Sequence, residues 1–222
     1  MLYKSRAIVL KSHKYGESGI IVQIYTEEFG RQSFIVHGAR NRKARYSPAL
    51  FNSLSLIDID LYYKENRDIQ TIKEVKPCLI LHNITCDIKK SSIAIFIGEI
   101  LLRTLKEVEP NKLLFSFLYH AIEVLEIAEK GIENYHLIFL FQFSKYIGIY
   151  PENYNNLRVF LSDKRIKLDN WLHYSFTQME DIQLGRNQRQ ELLKSLVEYY
   201  QQNMDGIGEI KSLSILSEVF SN

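Results

Sequence analysis

The chain has 222 residues, 46% of them hydrophobic, with 28 Lys and Arg against 26 Asp and Glu and a formal charge of +2. That is enough apolar material for one large or two small buried cores, while the two cysteines exclude a disulfide framework. Lys89, Glu99, Arg103, Lys112 and Lys145 break the most apolar stretches below the ~20 residues of a membrane span, and the opening ten residues lack the apolar run of a signal peptide, so a cytoplasmic protein is expected.

Three runs rich in Ile, Val, Tyr and Phe, residues 6–12, 20–26 and 32–37, are separated by glycine-containing turns and predict three strands. In the second, Ile20, Val22 and Ile24 share one face by the two-residue period and Gln23 faces the other way. From Gly30 to Ile57 there is no Asp or Glu, yet Arg31, Arg40, Arg42, Lys43 and Arg45 all fall inside. On charge pattern alone that run fits a solvated loop as well as a surface for a polyanion. A fourth strand, 53–63, places Ile57, Ile59 and Leu61 inward and Asp58 and Asp60 outward, and a fifth, 68–76, follows a turn at 63–67. Five short strands in about 75 residues suit an OB-fold, a five-stranded, partly open barrel that often binds oligonucleotides.

Texture changes at Pro77, after which apolar residues recur at helical spacing: Ile93, Ile97, Ile100 and Leu101, then Leu114, Phe117, Leu118, Ala121, Leu125 and Ala128. Breaks at Glu109-Pro110-Asn111 and Gly131 separate helices, and residues 136–149 are apolar all round, as a central buried helix would be. Residues 150–185 form an irregular insert with a possible hairpin at 158–168, and helices are expected again at 186–203 and 209–220. The expected class is therefore α+β and multidomain: an OB-fold at 1–77 and an all-α bundle of up to six helices at 78–222. Charge divides in the same way, because residues 1–80 carry 13 Lys and Arg against 8 Asp and Glu and the remainder 15 against 18. The polyanion surface is expected on the first domain.

An ordered set of residues in the first forty, Ala7-Ile8-Val9-Leu10-Lys11, Tyr15-Gly16-Glu17-Ser18, Thr26-Glu27-Glu28-Phe29-Gly30 and Gly38-Ala39-Arg40, resembles the amino-terminal half of the RecO family of bacterial recombination mediators. Beyond about residue 80 the resemblance is one of architecture and length. It implies binding of single- and double-stranded DNA, annealing of complementary strands, and loading of RecA together with RecR onto DNA coated by single-stranded DNA-binding protein. It also implies a helical domain that takes the acidic, hydrophobic tail of that coating protein, and a place in the cytoplasm at the nucleoid during repair. Many relatives carry a four-cysteine zinc module in the region of 150–185. This chain has no cysteine there and only His173 as a soft ligand, so no metal or other cofactor is expected.

The DNA-contacting candidates are Lys11, Tyr15, Arg31, Arg40, Arg42, Lys43 and Arg45: cations to meet phosphates without reading sequence, and a ring on which a base can stack. Tyr62 and Tyr63 are further stacking candidates near the last turn, whereas Phe34 alternates as a core residue. Arg103 and Lys106, beside Leu102 and Leu105, are the candidate cations for the acidic tail, with ordinary solvated helix positions as the alternative. Cys78, His82 and Cys86 would line one face if their segment were helical, but no fourth ligand is near and a small buried hydrophobe is the plainer role for such a Cys. Motifs for phosphate loops, zinc proteases and serine hydrolases are missing, so no enzymatic activity is expected. Two other functions stay open on the residues themselves: an OB module for structured RNA, and a metal-dependent phosphodiesterase using Asp58 and Asp60.

Overall fold

The computed structural model describes residues 2–41, 44–64, 66–106, 109–151 and 174–220. By its internal contacts the chain divides into two units, Met1–His82 with Leu105–Tyr119, and Asn83–Thr104 with His120–Asn222.

The first unit is a closed five-stranded barrel. Strands β1 (Leu2–Tyr15), β2 (Gly19–Thr26), β3 (Gly30–Val36), β4 (Leu56–Tyr62) and β5 (Ile69–Pro77) close in the order β1-β2-β3-β5-β4. All pairs are antiparallel except β3 with β5, where Ser33 to Ile35 run parallel to Ile69 to Thr71. Alternation fills the interior as the two-residue period requires: Ala7 and Val9 from β1, Val22 and Ile24 from β2, Phe34 and Val36 from β3, Ile57, Ile59 and Leu61 from β4, and Val75 from β5. Phe34 is indeed core. The Thr26-to-Gly30 corner is set by Thr26, whose hydroxyl donates to the Gly30 carbonyl at 2.9 Å and accepts from the Phe29 amide at 3.0 Å.

Two features of this unit differ from the expectation. The basic stretch after β3 is not a plain solvated loop, because Ala39 and Phe51 turn into the core and Tyr46 and Leu50 pack against it. Phe51 ends a short 3-10 turn, Pro48–Phe51, whose start is marked by Ser47 accepting from the Ala49 amide and by Pro48 in the first helical position. Secondly, Leu105–Tyr119 was expected with the helical domain and instead groups with the barrel. The reason is an apolar outer row, Tyr25, Ile8 and Leu56, paired across β2, β1 and β4 and fully buried. Phe115 stacks on Tyr25 at 6.3 Å, and the Arg6 guanidinium lies 5.4 Å from the Phe115 ring and 5.0 Å from that of Tyr119. Burial of both faces at Ala7 to Leu10 follows.

The second unit contains α1 (His82–Cys86, its first residue at the division), α2 (Ile88–Thr104), the later part of α3 (Lys112–Ile127), α4 (Ile132–Tyr146), α5 (Arg186–Asn203) and α6 (Ser212–Val219), with a 3-10 turn at Phe176–Asp181. Helix α4 is buried on every side from Asn134 to Phe141, as its continuous apolar run implied. Gly131, at its start, has φ of +66° and lies so close to Met179 that a Cβ would fall 2.6 Å from that residue's backbone, so only glycine fits. The suggested hairpin at 158–168 and His173 lie outside the described residues. Among the described residues no helix is long and apolar enough to cross a membrane.

The Cys78, His82, Cys86 spacing does not produce a shared helical face, because the helix begins only at His82. Cys78 follows the last strand, where burial and a hydrogen bond to Asp58 push its thiol up to about 12. Among the described residues no three His, Cys, Asp or Glu side chains are grouped as a cation site would need.

Candidate nucleic-acid interface

Strand β1 changes character along its length. Residues 7–10 are buried and residues 11–15, Lys-Ser-His-Lys-Tyr, are all exposed, although the antiparallel ladder continues through them to Tyr15 opposite Gly19. A shift in register between Val9 and Lys11 marks the change. Beyond it Lys11, His13 and Tyr15 pair with Gln23, Ile21 and Gly19 on the outer side, whereas Ser12 and Lys14 pair with Val22 and Ile20, residues of the core side. The β1–β2 arm thus shows a cation on each face and a tyrosine, 51% exposed, at its tip. His37 is also exposed, one residue beyond β3, whose last residue Val36 pairs with Ile20.

The basic stretch lies against this arm. The Arg40 amide donates to the Ser18 carbonyl at 2.9 Å, its Nε to the Gly19 carbonyl at 3.1 Å, and its Nη2 to the carbonyls of Gly16 at 2.6 Å and Glu17 at 2.5 Å. Arg45 is exposed, with its guanidinium 5.2 Å from the Tyr46 ring and Nη1 at 3.5 Å from the Lys73 carbonyl, a carbonyl that also accepts from the Tyr46 hydroxyl at 3.2 Å. Lys73 itself is exposed on β5. Arg42 and Lys43 lie outside the described residues.

Arg31 is placed differently. Its guanidinium is half-buried, donates to the Leu105 carbonyl at 2.6 Å and to Gln23 Oε1 at 3.3 Å, and has its pKa lowered by that burial. It ties β3 to the segment that covers the barrel. Of the tyrosines, Tyr62 is exposed, but Tyr63 stacks on Phe29 at 4.5 Å and Phe29 in turn meets Tyr3 at 5.2 Å, so the Tyr63 ring is partly buried against the barrel core. Asp58 lies opposite Arg6 on the neighbouring strand. Arg6 itself grips Glu27 with two bonds, of 2.9 and 2.7 Å, and holds that carboxyl below its ordinary range. Arg103 lies in the helical unit, 3.8 Å from Glu99, whereas Lys106 belongs to the barrel unit, so the two candidate tail cations do not share a unit.

The arrangement combines exposed cations, an exposed ring and a stretch from Gly30 to Ile57 without acids. It can neutralise phosphates and offer a stacking surface, the two contacts that bind single strands without reading sequence. His13, Lys14, His37 and Lys73 were not singled out from the sequence. The available signal was Tyr15-Gly16-Glu17-Ser18-Gly19 between two strands, since a three-residue turn forces the residues before it to pair with those after it.

The model of the family described as recombination protein O N terminal matches residues 1–80, and that described as recombination protein O C terminal matches residues 86–159. The DNA repair protein RecO of Azobacteroides pseudotrichonymphae is 34% identical over 240 residues, covering 99% of this chain and 100% of that protein. Those of Phocaeicola vulgatus and Flavobacterium psychrophilum are 33% and 34% identical, each covering 100% of both chains.

Proposed function

This chain belongs to the RecO family of DNA repair proteins, and on that premise we propose that it binds single- and double-stranded DNA through the barrel unit, anneals complementary strands and, with RecR, helps to load RecA onto DNA coated by single-stranded DNA-binding protein. The observation that carries the reading is the β1–β2 arm, where a strand buried as far as Leu10 continues as an exposed run bearing Lys11, His13, Lys14 and Tyr15. Arg45, and by sequence Arg42 and Lys43, extend this set. Arg31 braces the fold and is left out of the contacts. Binding releases counterions from phosphates, so affinity falls steeply with salt. Neutralising two strands also lowers their mutual repulsion, which favours annealing without any bond being broken. The protein acts as a scaffold in the cytoplasm, at the nucleoid during repair. The acidic tail of the coating protein docks on the helical unit, where Arg103 is the candidate cation.

The test follows annealing of two complementary oligonucleotides coated with the cognate single-stranded DNA-binding protein, at several salt concentrations. Acceleration that fades with salt and disappears when the acidic tail is deleted supports the mediator reading. No acceleration by folded protein at any salt overturns it.

A further inference from the structure

All four successive carbonyls of the turn from Gly16 to Gly19 accept a hydrogen bond from one residue, Arg40: Ser18 from its amide, Gly16 and Glu17 from Nη2, and Gly19 from Nε. A guanidinium meets a phosphate in bidentate fashion along either its Nε and Nη2 edge or its Nη1 and Nη2 edge. Nη2 belongs to both edges, and both of its hydrogens are committed to Gly16 and Glu17. Arg40 is exposed and positively charged, yet its geometry is that of a staple across a turn and not that of a waiting phosphate clamp.

We infer that Arg40 is a positioning residue, which holds the tip of the β1–β2 arm so that Lys11, Lys14 and Tyr15 meet the nucleic acid. This rests on the DNA-binding reading above and adds to it the division of labour among the basic residues. Two consequences of the staple serve binding. Gly16, with φ of +57°, opens the turn; Gly16 and Glu17 are exposed and the space beside Gly16 is open, so beyond the Tyr15–Gly19 pairing Arg40 is the contact that fixes the direction of the tip. The gathered carbonyl oxygens also present partial negative charge beside the cations of the arm, and the guanidinium covers them. Lysine cannot replace it, because a single ammonium on a flexible stem lacks the planar fork that reaches Gly16, Glu17 and Gly19 together.

The experiment measures affinity for a fluorescein-labelled oligothymidylate by anisotropy, for the wild-type chain and for Arg40→Ala, Arg40→Lys, the pair Lys11→Ala with Lys14→Ala, and that pair combined with Arg40→Ala. A positioning role makes Arg40→Lys as weak as Arg40→Ala, each by roughly tenfold, and makes Arg40→Ala cost under about twofold once Lys11 and Lys14 are gone, because the residues it aims are absent. Hydrogen exchange at the amides of residues 16–20 should accelerate in both Arg40 variants, with melting temperatures near that of the wild type. If Arg40→Lys binds like the wild type, or if the loss from Arg40→Ala is undiminished in the lysine-free background, Arg40 contacts phosphate directly and the inference falls while the DNA-binding reading stands. If the wild-type chain itself does not bind, the DNA-binding reading falls and the inference with it.

Discussion

Arg40 in the barrel unit and Glu126 in the helical unit hold chain segments in the same way, by offering several hydrogen bonds to backbone, but in opposite surroundings. Arg40 is exposed and ties a surface turn. Glu126 is 7% exposed; its carboxylate accepts from the amides of Asn83 at 2.8 Å and Ile84 at 3.0 Å, and its carbonyl accepts from buried Lys90 at 2.7 Å. Asn134 repeats the helical unit's habit, donating to the carbonyls of Met179 and Ile182 and accepting from Arg189. In water an added hydrogen bond contributes little to stability, whereas a buried partner left unpaired costs its full desolvation. The barrel can therefore vary its surface cations with little loss of fold, and the helical unit cannot vary its interior polar groups.

The largest test of that contrast is Glu126→Ala. It leaves the buried Ile84 amide and the part-buried Asn83 amide without their charged acceptor, and is expected to cost about 3 kcal/mol, lowering Tm by roughly 6–12 °C. A change below about 1 °C in a circular-dichroism melt would break the comparison.

His136 gives the next effect, read through pH. It is buried in α4, between the rings of Phe96 and Phe220, and burial, with a smaller contribution from the charge of Arg189, lowers its pKa from 6.5 to about 3. With the folded value depressed, the unfolded chain binds the extra proton first, so its contribution is complete above the unfolded pKa and is lost as pH falls toward the folded one. Wild-type Tm should therefore decline as pH drops from 6.5 to about 5, by up to about 2 kcal/mol of stability, and His136→Phe should flatten that limb. An equal slope in both proteins would show that the imidazole is not the source.

The smallest stability effect belongs to Lys11→Ala with Lys14→Ala. Both side chains are exposed, so the unfolding free energy should change by less than about 0.5 kcal/mol while DNA affinity drops, which separates the two regions most cleanly.

The barrel was legible because its signals are local. Alternation at Ile57, Ile59 and Leu61 and the turns around Gly16 and Gly30 specify strands within a few residues. Helix α4 was legible for the same reason, its apolar run having no exposed side. What escaped depends on distant partners. Residues 13–15 carry no strand pattern of their own, and their pairing with Gly19 to Ile21 is what extends β1 past the predicted 6–12. Leu105–Tyr119 has an ordinary helical period, and only the outer row of Ile8, Tyr25 and Leu56 explains why it lies on the barrel. For the site, charge drew attention to Gly30–Ile57, whereas the proposed contacts Lys11, His13, Lys14 and Tyr15 lie before that stretch. Charge could not tell a cation that faces solvent, such as Lys11, from one whose donors are taken by carbonyls, such as Arg31.

The most direct measurement is the salt dependence of single-stranded DNA affinity for the wild-type chain and for the Lys11→Ala, Lys14→Ala pair. The expected result is a linear fall of log affinity with log salt whose slope is shallower in the variant by about 1.4, two phosphate contacts at ~0.7 each, with Tm unchanged. An identical slope in the two proteins would place the phosphate contacts elsewhere and contradict the assignment of the β1–β2 arm as the nucleic-acid interface.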